Sequence, residues 1–461
     1  MSDINKALDA ADKALDASLD RLFEFLRIPS ISADSAYAGD CQKAAEWAAA
    51  VLRDVGFDAS PRKTIGHPMV VGHRRTGKAG VPHVLFYGHY DVQPPDPLDL
   101  WHTKPFEPVR KPGPHGDIIV ARGASDDKGQ VMTFIEACRA LIETQGELPV
   151  DVTVFLEGEE ESSSRSLVPF LKENKDELKA DFCLVCDTDL WDRDTPAITT
   201  MLRGMVYEEV TIKAASRDLH SGMYGGAAQN PIRVLSKILA ALHDDNGSVT
   251  VPGFYDGVKE LPDAVKAEWG ALDFDGEAYL AEVGLKVPAG EKDRTVLEQI
   301  TVRPTCDVNG ISGGYEGEGA KTVIAAQAFA KVSFRLVAGQ EPEKVQAAFR
   351  KFVTDRLPAD CKAEFQSHGM GPAIAVPTDS EPLAKARAAL AEEWGRTAPM
   401  IGSGGSIPVV GDMQRILGID SLLIGFALED DQIHSPNEKY DVRSFHKGIR
   451  SWVRILDALA K

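Results

Sequence analysis

Five short stretches of this sequence place imidazole or carboxylate groups where an apolar run gives way to a loop. "FYGHYDVQPP" sets His89 and Asp91 two residues apart at the end of one such run, and "RGASDDKGQ" sets Asp126 and Asp127 just ahead of a helical stretch. "FLEGEEESSS" supplies Glu159, Glu160 and Glu161, "LVCDTD" supplies Asp187, and "DDQIHSPNE" supplies His434. Any one of these has an ordinary explanation. An acidic residue in a loop is commonly a helix cap or a solvated charge, and Asp126 or Asp127 could cap the helix that follows. Together they ask for another, because carboxylates gathered at one edge of a sheet repel each other unless cations sit among them. Histidine and carboxylate donors without a thiolate suit zinc or a similar divalent ion at a hydrolytic site. Two such ions about 3.5–4 Å apart can share a bridging carboxylate and a water whose pKa falls to roughly 7, which is the equipment of a hydrolase.

Such convergence needs a scaffold, and the spacing of apolar residues describes one. Short runs at "MVVG" near 69, "HVLFYG" at 83–88, "DIIVA" at 117–121, "VTVFLE" at 152–157 and "FCLVC" at 182–186 are separated by helical stretches at 41–55 and 128–143. That alternation predicts a largely parallel sheet covered on both faces, a fold in which ligands gather beyond the carboxyl ends of the strands. Leu8, Ala11, Leu15, Leu19, Leu22 and Leu26 predict one amphipathic helix, stopped by Pro29. After about residue 200 the pattern changes. "MVYEEVTIKA" alternates like a strand with one wet face, "KTVIAAQAFAKVSFRLVA" reads as two strands, and "EPEKVQAAFRKFV" reads as a helix. The tail returns to the first pattern, with a helix near 381–395, a strand "SLLIGFA" at 421–427 and a closing helix from 443. Residues 1–199 and 378–461 are therefore expected to form an α/β catalytic domain, and 200–377 an α+β domain inserted into it. The stretch 245–300, rich in Asp, Gly and Glu, reads as a partly helical elaboration, and no internal repeat is found.

Composition narrows the classes. At 461 residues the chain is too long for one ordinary core. Its 43% hydrophobic and 26% charged content are those of a globular protein rather than a disordered or fibrous one. A formal net charge of −19 argues against nucleic acid as a partner. No apolar run is long enough to span a bilayer, so no membrane partner is expected, and the N-terminal stretch lacks the apolar block of a secretory signal. A cytoplasmic location is the expectation. The six cysteines then read as reduced thiols, and the C-x-x-C of Cys183 and Cys186, inside an apolar run, as buried ones. "GISGG" at 310–314 is not followed by a helix, which makes Ser312 a poor nucleophile, and "GSGGS" at 402–406 lacks the P-loop lysine. His67, His73, His83, His102 and His115 share no ligand-like spacing and read mostly as surface residues.

"GHYDVQPP", "ASDDKG", "LEGEEESSS", "DLHSGMYGG", "GAKTVI", "GGSIPV" and "HSPNEKY", in this order, resemble the motif series of the co-catalytic di-zinc exopeptidases. That family includes carnosine dipeptidases, cytosolic nonspecific dipeptidases, aminoacylases and glutamate carboxypeptidases, and the resemblance is closest to the dipeptidase branch. It implies a metal-dependent dipeptidase with a ferredoxin-like inserted lid and dimerisation domain, working as a homodimer. His89 and Asp187 would hold one zinc, Glu161 and His434 the other, and Asp126 would bridge them across a cis Asp126–Asp127 peptide; manganese or cobalt are the alternative ions. Asp91 resembles the aspartate that hydrogen-bonds the metal-bound imidazole and fixes its tautomer. Glu160 resembles the general base. An acidic triplet stands where the family has a pair, so a one-residue slip, to Glu159 as base and Glu160 as ligand, is the competing register.

His220 matches a histidine that reaches the active site of the partner subunit and stabilises the oxyanion, although a lone histidine is more often structural. Arg335 matches an arginine that grips the substrate's terminal carboxylate, against the plain reading of an exposed strand arginine. Asn309, Thr322 and Ser406 match positions lining the substrate site. Two rival readings remain: an N-acyl amino acid amidohydrolase of the aminoacylase type, and a catalytically silent metal-bound scaffold on the same fold.

Overall fold

The structure, a computed structural model, describes residues 3–405 and 407–461; Ser406 lies outside the described residues. The chain forms two compact units, one comprising Met1–Thr200, Val376–Ile401 and Asp412–Lys461, the other Met201–Ala375 and Gly402–Gly411.

In the first unit the strands Asp58–Arg62, Met69–Arg74, Asp151–Glu157, His83–His89, Phe182–Val185 and Ser421–Leu423 lie side by side in that order. The last four run parallel and the first two are antiparallel additions. "HVLFYGH" and "DVTVFLE" are buried along almost their whole length, as strands covered on both faces must be. Helices Ala38–Val55, Lys128–Gln145 and Val442–Leu459 contribute to that cover, and Phe86 stacks on Phe134 at 3.8 Å between ring centroids with Trp452 edge-on to both.

Register then decides where the polar residues emerge. His89 lies opposite Glu157 and Tyr87 opposite Val185, so His89, the Glu159–Glu161 turn and Asp187 leave the sheet at nearly one level. The loop carrying Asp126 folds back tightly onto the start of its helix. A Cβ at Gly129 would lie 1.9 Å from the Ala124 carbonyl oxygen, so only glycine fits there.

Three expectations need amendment. The N-terminal helix is two helices, Asp3–Lys13 and Leu15–Leu26, parted at Ala14 without any sequence signal. "DIIVA" is not in the main sheet: Gly116–Val120 joins Val109–Gly113 and Lys439–Asp441 in a separate antiparallel sheet, its hairpin turned at Gly116 with φ 128°. The strand expected at 421–427 ends at Leu423, after which the chain passes so close to the segment beyond Val185 that a Cβ at Gly425 would lie 1.8 Å from Thr188 O.

The second unit is built on four antiparallel strands, Thr305–Gly313, Gln327–Leu336, Gly204–Lys213 and Lys362–Gly371, in that spatial order. With helices Pro231–Ala240 and Pro342–Thr354 the chain runs strand–helix–strand–strand–helix–strand, the ferredoxin-like arrangement. Strand residues alternate buried and half-buried, and Val206, Val210, Val332 and Phe334 pack with Leu235, Ile238 and Phe349 from the helices. Between residues 245 and 300 lie the short helices Asp263–Gly270, Gly276–Glu282 and Val296–Thr301, the latter two capped by Asp275 and Thr295. All six cysteines are free and buried. Among the described residues no helix is long and apolar enough to cross a membrane.

Candidate active site

Asp126 stands between two histidines. Its Oδ1 is 3.0 Å from His89 Nε2 and its Oδ2 is 3.0 Å from His434 Nε2, which in turn lies 3.3 Å from Glu161 Oε1. Two overlapping groups result, His89 with Asp126 and Asp187, and Asp126 with Glu161 and His434, each with one candidate donor atom per residue within 4.8 Å of the others. The carboxylate common to both offers a separate oxygen to each side.

The electrostatics fit divalent cations at these two places. Burial pushes the Asp187 carboxyl well above its usual range and the nearby Asp127 carboxylate adds to the effect; Asp127 is raised for the same first reason. Burial opposes charge on His89 too, yet its hydrogen bonds with Asp126 and Asp91 hold it well above an ordinary imidazole, and those with Asp126 and Glu161 push His434 up to about 10. Burial would raise Asp126, but the same two histidines hold it below the usual carboxylate range. Positive charge is thus favoured beside the shared carboxylate, and the buried carboxylates around it lack a compensating cation. Two nitrogens and three carboxylates, with no thiolate, form a donor set that suits zinc and its neighbours.

Supporting groups fix these donors. Asp91 is buried; its Oδ1 lies 3.4 Å from His89 Nδ1, which is also 3.1 Å from the Asp91 carbonyl. The same carboxylate accepts from Ser32 Oγ at 2.6 Å, Glu160 N at 3.2 Å and Glu161 N at 3.0 Å. One aspartate therefore holds the imidazole and the acidic turn in a common frame. Asp127 stands at the N-cap of the Lys128–Gln145 helix but makes no side-chain cap; its Oδ2 accepts from His89 N at 3.0 Å, and the Asp126–Asp127 peptide is cis.

The three glutamates have different surroundings. Glu159 is buried and engaged with other partners: Oε1 accepts from His67 N at 3.2 Å and Arg165 Nε at 3.1 Å, and Oε2 from Ser166 N at 2.9 Å. Glu161 Oε2 accepts from Gln93 Nε2 at 2.8 Å while Oε1 faces His434. Burial pushes Glu160 up to about 7, with Glu161 and Asp91 adding repulsion that His89 partly offsets.

In the second unit His220 is exposed, and its Nδ1 accepts from Gly222 N at 3.0 Å. A neutral ring in that bond carries its proton on Nε2. His220 pairs with Val323, and Ser221 N donates to Thr322 O at 3.1 Å, so Thr322 lies beside it. Asn309 is exposed at a bulge of the Thr305–Gly313 strand, and Arg335 is half-buried on the neighbouring strand opposite Thr305. Among the other histidines, His102 and His115 are exposed, but His67, His73 and His83 are half-buried, and His73 and His83 contact Thr153 Oγ1 at 3.0 and 2.8 Å. Sequence reasoning passed over Glu438 and Asp431, two fully buried acids flanking His434. The motif "HSPNEKY" contained one of them, but residue type alone did not mark the donors it collects.

Residues 85–458 match the family described as peptidase family M20/M25/M40. Among curated proteins, the Cys-Gly metallodipeptidase of Schizosaccharomyces pombe is 30% identical over 472 residues, covering 99% of this chain and 98% of that protein. The human Beta-Ala-His dipeptidase is 31% identical over 374 residues, 80% of this chain and 73% of that one. Among solved structures, an M20 family metallo-carboxypeptidase from Sulfolobus solfataricus superposes with a TM-score of 0.82 at 31% identity, covering 96% of this chain and 99% of that one.

Proposed function

The chain belongs to peptidase family M20/M25/M40 and is a metallodipeptidase, and from that premise we propose that it cleaves small dipeptides at a two-ion centre built on Asp126. The observation that carries the two-ion reading is the shared carboxylate, with one oxygen toward His89 and the other toward His434. His89, Asp126 and Asp187 would hold one ion and Asp126, Glu161 and His434 the other; the donor set favours zinc, with manganese or cobalt as alternatives. When bound, such ions supply the Lewis acidity that makes water a nucleophile at neutral pH and polarises the scissile carbonyl.

The remaining chemistry belongs to side chains. Glu160, raised by burial to about 7, takes the proton of the attacking water and passes it to the leaving amine. Asp91 keeps His89 and the Glu160–Glu161 backbone in register. His220 donates from Nε2 to the oxyanion, acting across a homodimer on the partner chain's site. Arg335 receives the free carboxylate of the substrate, and Asn309, Thr322 and Ser406 are assigned to substrate binding. The insertion at 200–377 is the lid and dimerisation domain, and six free, buried cysteines support a cytoplasmic setting.

A second reading has its own support. The carboxypeptidase relative is as similar as the dipeptidases, which favours removal of a C-terminal residue from longer peptides or from N-acyl amino acids at the same site. Chelator-treated protein given zinc, manganese or cobalt, assayed on dipeptides, N-acyl amino acids and tetrapeptides, separates the two. Restored dipeptide cleavage is expected; restoration only on the longer or acylated substrates would transfer the assignment, and a folded protein silent with every ion would leave a scaffold. The same preparation should melt at lower temperature without metal, since saturation at 1,000-fold above Kd stabilises a protein by about 4 kcal/mol. Arg335→Ala should raise KM roughly 10- to 100-fold, the loss of a charge-assisted bond worth about 1.5–3 kcal/mol. Its KM for a dipeptide and for the corresponding C-terminal amide should then converge.

A further inference from the structure

His434 sits in a loop that does not take its shape cheaply. Gln432, His434 and Asn437 all have positive φ, 55°, 62° and 66°, in the region non-glycine residues avoid. Something outside the loop must hold it there, and two acids fully buried on either side of His434 do so.

Glu438 follows His434 by four residues and collects four donors from the segment that ends at Asp126. Its Oε2 accepts from Arg122 Nη1 at 2.8 Å and Gly123 N at 2.8 Å; its Oε1 accepts from Ser125 N at 2.9 Å and Asp126 N at 3.0 Å. Asp431 precedes His434 by three residues. Its Oδ2 accepts from Ser125 Oγ at 2.7 Å, and its Oδ1 from Lys439 Nζ at 2.6 Å. Both acids thus staple the His434 loop to the Asp126 loop, over more than 300 residues of sequence. The two staples meet at Ser125, through its backbone N–H and its hydroxyl, one residue before the shared carboxylate.

We propose that Glu438, seconded by Asp431, is a positioning residue that sets Asp126 against His434 and thereby preorganises the ion position formed by Asp126, Glu161 and His434. This rests on the two-ion reading above. The other position depends less on the staples, because His89 and Asp187 are delivered by strand ends in the central sheet. Glutamine cannot replace Glu438. One end of its amide donates rather than accepts, so in either orientation an NH₂ group faces two of the four donors.

Zinc titration against a competing chelator, together with steady-state kinetics, tests this. The full-length wild-type chain should take up two ions. Glu438→Gln should bind one ion as the wild type does and the other about 10- to 100-fold more weakly. At limiting zinc its kcat should fall while KM stays within a few-fold, and excess zinc should restore part of kcat. A role in folding alone would lower the melting temperature of the metal-free protein and leave both affinities unchanged, and that result would overturn the proposal. Should Glu438→Gln fail to fold, Ser125→Ala, which removes only the hydroxyl bond to Asp431, should weaken the same ion several-fold; unchanged affinity there would count equally against it. A folded wild-type chain that takes up fewer than two ions would overturn the two-ion reading along with the positioning role. Two ions bound identically by wild type and variant would overturn the positioning role alone.

Discussion

Glu160→Ala is expected to lower kcat on a dipeptide by about 10²–10⁴-fold, the range of a positioned general acid–base, while leaving the fold and the metal content unchanged. The expectation rests on what each glutamate of the triplet touches. Among the described residues the Glu160 carboxylate accepts no hydrogen bond, so its removal leaves no buried donor without a partner. Glu159 differs in kind, because its oxygens satisfy His67 N, Arg165 Nε and Ser166 N. Glu159→Ala should therefore act on stability, lowering it by about 1–3 kcal/mol, chiefly through the backbone N–H of buried Ser166 left without its acceptor, with residual activity tracking the folded fraction. Glu161→Ala should release an ion, since Glu161 is the carboxylate beside His434. Turnover, metal content and melting temperature, measured on the three variants, distinguish the registers. Metal lost from Glu160→Ala but retained in Glu161→Ala would move the ligand to Glu160 and the base to Glu159.

That the centre could be read from sequence at all follows from parallel-sheet geometry. A strand buried on both faces is a continuous apolar run, so its end is marked by the first polar residue, and in a parallel sheet successive ends come out on one side. His89, Asp187 and the Glu159–Glu161 turn were visible for that reason. What stayed hidden depended on pairing partners that local sequence does not carry. "DIIVA" has the composition of a strand, but only its partners, Val109–Gly113 and Lys439–Asp441, place it outside the main sheet. Glu438 looks like any glutamate after a turn; the donors that make it structural lie 312 to 316 positions earlier in the chain. Glu159 was ambiguous because a run of three like residues gives no internal sign of which one turns toward the 66–67 bend. There a Cβ on Gly66 would lie 1.7 Å from Glu159 Oε1, so the glycine and the glutamate presuppose each other.

His220→Ala is expected to lower kcat by about 10²–10³-fold, as loss of a single oxyanion donor does, with KM changing little because the oxyanion exists only in the transition state. The local structure already prepares the ring for this role. Gly222 N–H holds Nδ1, the neutral imidazole therefore carries its proton on Nε2, and the residue is exposed rather than committed to a core. Gly222→Ala should reproduce part of the defect, since the added methyl would lie 2.9 Å from His220 Cε1 and turn the ring out of that bond. If the histidine serves the partner's site, each site of the dimer needs Glu160 from one chain and His220 from the other. Glu160→Ala and His220→Ala proteins, each nearly inactive, should then regain activity when subunits are exchanged. Random mixing makes half the dimers heterodimers with one intact site each, about a quarter of wild-type turnover. An exchange verified by mass that restores nothing would mean that each chain completes its own site, and His220 would then act within the chain that carries it.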